Sequence, residues 1–103
     1  VLFVGSGMSF HNMRAFRYGD NTPIEGAEIF DNWLAETVCS PQPAVRNAAL
    51  AEWEKAPGAR FAHPREEHLI PLMVIAGAAG TAKGKRAWHG RAMGALLSAF
   101  SFD

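Results

Sequence analysis

Two kinds of apolar pattern alternate along this chain. Val1-Leu2-Phe3-Val4 is a continuous apolar run with a β-branched bias, stopped by Gly5. It reads as an interior strand of a parallel sheet, where apolar residues occupy both faces. From Glu25 the spacing turns helical. Ala27, Phe30, Leu34 and Val38 recur three or four residues apart, with Trp33 and Thr37 beside them, and make one apolar face. Ser40-Pro41-Gln42-Pro43 ends that helix, because proline disfavours helical geometry in the residue before it. Pro43 can open a second helix running through Val45, Ala49 and Leu50 to about Trp53, which Lys55-Ala56-Pro57-Gly58 closes. Residues 59 to 65 are a link.

Pro71 constrains the third helix. Deep inside a helix it would cost ~3 kcal/mol or more, whereas in the first turn it costs almost nothing. The regular helix is therefore expected to start between Glu67 and Ile70 and to run to about Ala79, apolar nearly all round and buried on most sides. Thr81 to Arg91, with Lys83, Lys85, Arg86 and Arg91, reads as a basic surface loop that includes His89. The chain ends in alternation: Phe100 and Phe102 fall on one side and Ser101 on the other, as in a strand at or near a sheet edge. The fold class is α/β, in the order strand-helix-helix-helix-strand. An interior strand needs neighbours on both sides, and this chain offers few further strand candidates. With no initiator Met, it reads as a piece of something larger.

Composition narrows the function more than the fold. A chain of 103 residues makes one domain, and 49% hydrophobic with 19% charged residues is a globular composition. The formal net charge is zero, without the basic bias of a nucleic-acid or membrane-surface binder. No apolar run approaches the ~18 residues of a membrane span, and no secretory signal pattern is present around Val1. Cys39 is the sole cysteine, so no intrachain disulfide can form. It is expected to act as a small buried or half-buried apolar residue, and the default compartment is the cytoplasm.

The candidate chemistry lies at two places. Gly5-Ser6-Gly7 follows the first strand, where α/β proteins place functional loops. A phosphate loop is disfavoured there, because no Gly-Lys-Ser/Thr follows. Met8-Ser9-Phe10-His11-Asn12-Met13 then sets a histidine and an amide just beyond the strand. His11 and Asn12 are either functional or a hydrogen-bonded structural histidine beside a capping residue. The second place is His63-Pro64-Arg65-Glu66-Glu67-His68-Leu69-Ile70-Pro71-Leu72. Its Glu66, Glu67 and His68 sit at or before a helix N-terminus, where unpaired N–H groups favour carboxylates. The spacing of His63 and His68 spans a proline turn and is not the helical two-histidine metal pattern. One of these groups can still supply a single ligand to a metal completed from elsewhere.

Together, Gly5-Ser6-Gly7-Met8-Ser9-Phe10-His11-Asn12-Met13 and, about fifty residues on, His63 to Leu72 resemble the C-terminal part of the class III extradiol ring-cleavage dioxygenases, in their DOPA 4,5-dioxygenase type branch. Phe30-x2-Trp33-Leu34, Trp53-Glu54-x-Ala56-Pro57 and Gly77-Ala78-Ala79-Gly80 are also similar to that branch, so the likeness covers essentially residues 1–103. The resemblance implies an enzyme that opens catechol-type rings with O2 at a mononuclear metal, non-haem iron(II) or zinc(II). It implies that His11 is the catalytic histidine beside the metal and that His68 is a metal ligand, with Glu67 the alternative. His63 and Asn12 take supporting roles. The family's two other metal-binding histidines lie in its N-terminal half, in a Gly-His-Gly turn and a His-Asp-Phe type segment, and neither occurs here. The expectation is half an active site: inactive alone, and prone to form a homo-oligomer or to associate with the missing N-terminal half. A non-catalytic metal-binding or structural relative of the same fold, which self-associates, is the alternative.

Overall fold

The computed structural model describes residues 2–103. Helix α1 spans Ala27–Val38, α2 Pro43–Ala51, α3 Ala59–Ala62 and α4 Ile70–Ala79; a 3₁₀ turn, Trp53–Lys55, lies between α2 and α3. Strands β1 (Gly84–Ala92) and β2 (Ala95–Phe102) pair antiparallel as one hairpin. The α/β class holds, with helices leading to a terminal strand. No helix among the described residues is long and apolar enough to cross a membrane.

The core forms where the helical spacing predicts it. Ala27, Phe30, Leu34 and Val38 are all buried along one face of α1 and meet Leu50, Trp53, Ala59 and Ala62 from the following elements. Phe10 and Phe16 complete this cluster from the N-terminal segment, edge-on to each other at 5.5 Å. Pro43 opens α2 and Pro71 lies in the first turn of α4, as the cost of an interior proline requires. The second helix ends at Ala51, with Trp53 in the 3₁₀ turn, and the expected link at 59 to 65 contains the short α3.

Four expectations change. Val1 lies outside the described residues, but Leu2, Phe3 and Val4 are 87%, 63% and 80% exposed and form no ladder among the described residues. A strand buried on both faces needs partners on both edges, and the one sheet among the described residues is the β1–β2 hairpin. The basic stretch expected to be a loop is mostly strand β1. Its pairing comes from a two-residue turn in which Met93 (φ 50°) and Gly94 (φ 84°) are both left-handed, the geometry that matches the twist of paired strands. That turn is held by distant residues. Arg17 N donates to Met93 O at 2.8 Å, Ile24 N to Gly94 O at 2.9 Å, and Gly94 N to Asn21 Oδ1 at 3.0 Å.

Helix α4, expected to be buried on most sides, buries only Ala76, and Val74 is 63% exposed. Its apolar residues continue around the helix, but neighbours cover only part of the circumference. Cys39 is exposed rather than buried, because it follows the last turn of α1 outside the apolar face.

The C-terminal end of α4 is held by an unexpected group. Arg46 is fully buried, donating to the carbonyls of Ala82 (2.6 Å), Gly80 (2.7 Å) and Ala76 (3.3 Å) while its guanidinium lies over the Phe102 ring. A cation there satisfies orphan carbonyls and complements the negative end of the helix dipole. Asp31, also buried, accepts from Ser98 Oγ (2.7 Å), Arg86 (3.2 Å) and His89 Nε2 (3.1 Å). A register irregularity between Arg86 and Trp88 shifts the strand alternation and brings Arg86 and His89 to the same carboxylate. His89 is at the surface, as expected, although it lies in a strand.

Candidate functional site

Two segments far apart in sequence are sewn together. Met8 N donates to His68 O at 2.9 Å, His63 Nε2 to Ser9 O at 2.9 Å, His11 N to Ala62 O at 2.8 Å, and Asn12 Nδ2 to Phe61 O at 2.8 Å. Gly7 permits the approach: a Cβ at this position would collide with the His68 carbonyl oxygen. The consequence is direct stacking of His11 on His68, with ring centroids 3.5 Å apart and planes 17° from parallel.

Both rings line a cavity of ≈ 550 Å³, together with Asn12, Arg14, Arg65 and Glu67. His11 is half-buried and His68 exposed. Asn12 Oδ1 also accepts from Arg14 N at 3.1 Å, and Ala15 N and Phe16 N both donate to Asn12 O, so the turn after His11 is closed on itself. Glu67 is exposed and paired with Arg65 at 3.1 Å, a surface contact worth little in stability. The regular helix begins at Ile70, so Glu67 and His68 are presented just ahead of the α4 N-terminus. Leu69 N and Ile70 N both donate to Glu66 O there.

Glu66 turns away from the cavity toward Arg60, which also pairs with Glu54 and lies over the Trp53 ring at 4.7 Å. Its own backbone N–H and the Arg60 guanidinium hold the Glu66 carboxyl below the usual range.

His63 is turned into the core, fully buried, with Phe30 and Trp53 edge-on at 5.6 and 6.1 Å. Burial pushes its pKa down to about 4, only partly offset by the bond to Ser9. The carbonyl can only accept, so Nε2 carries the proton, and Nδ1 is buried without a partner. His63 therefore does not pair with His68 as a ligand. Arg14 at the cavity was not singled out by sequence, since an arginine beside a motif has no distinguishing pattern until the fold closes the cavity.

A mononuclear metal asks for at least three donors on one centre. Among the described residues, no group of three His, Cys, Asp or Glu side chains could hold an ion. The donors at this cavity therefore do not make a metal site by themselves.

No family model matches the chain. Curated relatives do. A 4,5-DOPA dioxygenase extradiol of Mirabilis jalapa is 37% identical over 81 residues, covering 78% of this chain and 29% of the relative. One of Beta vulgaris is 31% identical over 106 residues, covering 99% of this chain and 37% of the relative. One of Escherichia coli K12 is 28% identical over 79 residues, covering 76% and 29%. The chain thus spans about a third of the length of the curated relatives it matches. The crystal structure of the uncharacterized protein JW3007 from Escherichia coli K12 superposes with a TM-score of 0.75 at 23% identity, over 92% of this chain and 40% of that one, which shows a shared fold. With its two motifs meeting at one cavity and these three relatives bearing one name, the chain belongs to the extradiol dioxygenase family, in the branch of the 4,5-DOPA dioxygenases.

Proposed function

We propose that this chain is the C-terminal region of a metal-dependent extradiol dioxygenase that opens catechol-type rings with O2, and that it is inactive alone. The observation that carries this reading is the stacked His11–His68 pair at the mouth of a cavity. His68 takes the role of one ligand to iron(II) or zinc(II), with Glu67 the alternative, and the remaining ligands come from polypeptide outside these residues. When bound, such a metal supplies open coordination positions at which a catechol and O2 come together.

The chain's own residues have separable tasks. His11, half-buried and anchored through its backbone, offers an imidazole nitrogen to take a catechol hydroxyl proton and return it later. Asn12 fixes the turn that carries it. Arg14, exposed at the cavity, offers positive charge to an anionic group on the ring substituent. A cytoplasmic setting fits the sole, unpaired Cys39.

A chimera tests the reading. The matching segment of the Beta vulgaris relative is replaced by this chain, and DOPA cleavage is followed by absorbance. Activity is expected. His68→Ala should remove both bound metal and product, whereas His11→Ala should keep the metal and lower turnover by ~10²–10⁴-fold. The reverse pattern would overturn the assignment of roles.

A second reading, a relative that self-associates without catalysis, is favoured by one observation. A groove of ≈ 580 Å³ is lined by Leu2, Phe3, Val4, Leu72, Ile75 and Phe100, and the hairpin has unpaired edges among the described residues. In the dioxygenase reading the missing N-terminal half covers this face; in the isolated chain a second copy does.

A further inference from the structure

His63 is the residue of this region whose burial the cavity does not explain. Phe30 and Trp53 flank the ring, a setting in which a phenyl group would pack at least as well. The imidazole instead brings a buried Nδ1 lone pair with no donor, which is unfavourable. What a phenyl group lacks is the bond from Nε2 to the Ser9 carbonyl. Ser9 lies two residues before His11, and its Oγ accepts from Ser98 N on β2 at 2.9 Å. Phe10 between them is 1% exposed, set edge-on to Phe16 and Phe61. After Phe10, the His11 N–H and the Asn12 side chain are tied to Ala62 O and Phe61 O. The backbone that carries His11 is thus tied at Ser9, at His11 N–H and at Asn12, and its ring meets His68.

We propose that His63 is the positioning residue of this site: its Nε2–H, donated to Ser9 O, holds the backbone that lays the His11 ring on His68. It touches neither substrate nor cavity, and acts through Ser9 and Phe10. The proposal rests on reading His11 as the proton-transferring group, but its geometry can be tested without turnover.

The experiment compares His63→Gln, whose amide nitrogen can reach Ser9 O, with His63→Leu, which fills space and cannot donate. Nuclear Overhauser contacts between the His11 and His68 rings and hydrogen exchange of the His11 amide are the readouts, with the amides of Val38 and Leu50 as internal controls. His63→Leu should lose the ring contacts and speed His11 exchange at least tenfold while the controls stay protected. His63→Gln should restore both. Unchanged ring contacts in His63→Leu, or a glutamine variant as impaired as the leucine one, would overturn the proposal. Should His63→Leu fail to fold, long-range ¹⁵N–¹H spectra of the unmodified chain decide. A proton on Nε2 with a coupling to the Ser9 carbonyl supports the proposal, and a proton on Nδ1 overturns it. A negative catechol assay with these structural results intact would sink the dioxygenase reading alone.

Discussion

The two sides of this molecule are finished to different degrees. On one side α1, α2 and the 61–63 segment enclose Phe30, Leu34 and Val38 at 0–1% exposure, and the buried His63 donates to Ser9 O through Nε2. On the other side α4 and residues 2 to 4 present Val74, Leu2 and Val4 at 63–87% exposure beside an open groove. The open side is the more apolar in sequence: residues 69 to 79 carry no charge, whereas α1 carries Glu28, Asp31 and Glu36. The closed side is where several elements meet, whereas the open side has apolar residues facing no counterpart among the described residues. Apolar content therefore does not predict burial here; the number of opposing surfaces does. The stacked histidines sit on the seam: His11 is fastened to the closed side, and His68 stands at the head of the open helix.

The contrast is sharpest in stability. Leu34→Ala should cost ~2–5 kcal/mol in denaturant unfolding through the cavity it leaves, while Val74→Ala should stay within ~0.5 kcal/mol. Similar costs at both positions would mean that the open face is covered in solution. Acid should also act on the closed side. The unfolded chain takes up a proton on His63 below about 6.5, and the native state only below about 4. Its contribution is therefore fully present above pH 6.5 and lost as pH falls to about 4, up to about 3 kcal/mol in all. His11, His68 and Arg60 bring positive charge toward the same ring and act in the same direction. Urea unfolding between pH 7 and pH 4 checks this, and His63→Gln should flatten that part of the profile. The smallest effect on stability belongs to the open side. Val74→Lys should leave unfolding within ~0.5 kcal/mol of the parent yet reduce self-association in light scattering. A parent that stays monomeric at high concentration would break the comparison at this end.

Much of the closed side was legible beforehand. The three- and four-residue spacing of Ala27, Phe30, Leu34 and Val38 encodes a helix face directly, and Pro43 and Pro71 mark helix starts because a proline elsewhere in a helix is costly. The two motifs around His11 and His68 were legible as a family likeness, and the terminal strand as alternation. Strand β1 was not, because its residues carry no apolar period of their own. Its turn conformation is set by Arg17, Asn21 and Ile24, distant in sequence. Nothing in the sequence marks Arg46 and Asp31 as buried, and only the carbonyls and partners that folding brings to them make their burial tolerable.

By itself, then, the sequence determined what is local: helix faces, proline-marked starts, the residue types at the two motifs and the membership those motifs signal. The tertiary structure decided what depends on opposing surfaces. It turned His63 inward to hold Ser9, set His11 flat on His68, and left α4 open on the side where no described residue packs. Local preferences are encoded in neighbouring residues and can be read one segment at a time. Burial, hydrogen-bond partnership and the meeting of two imidazoles are properties of pairs of segments, and exist only once the chain has brought them together.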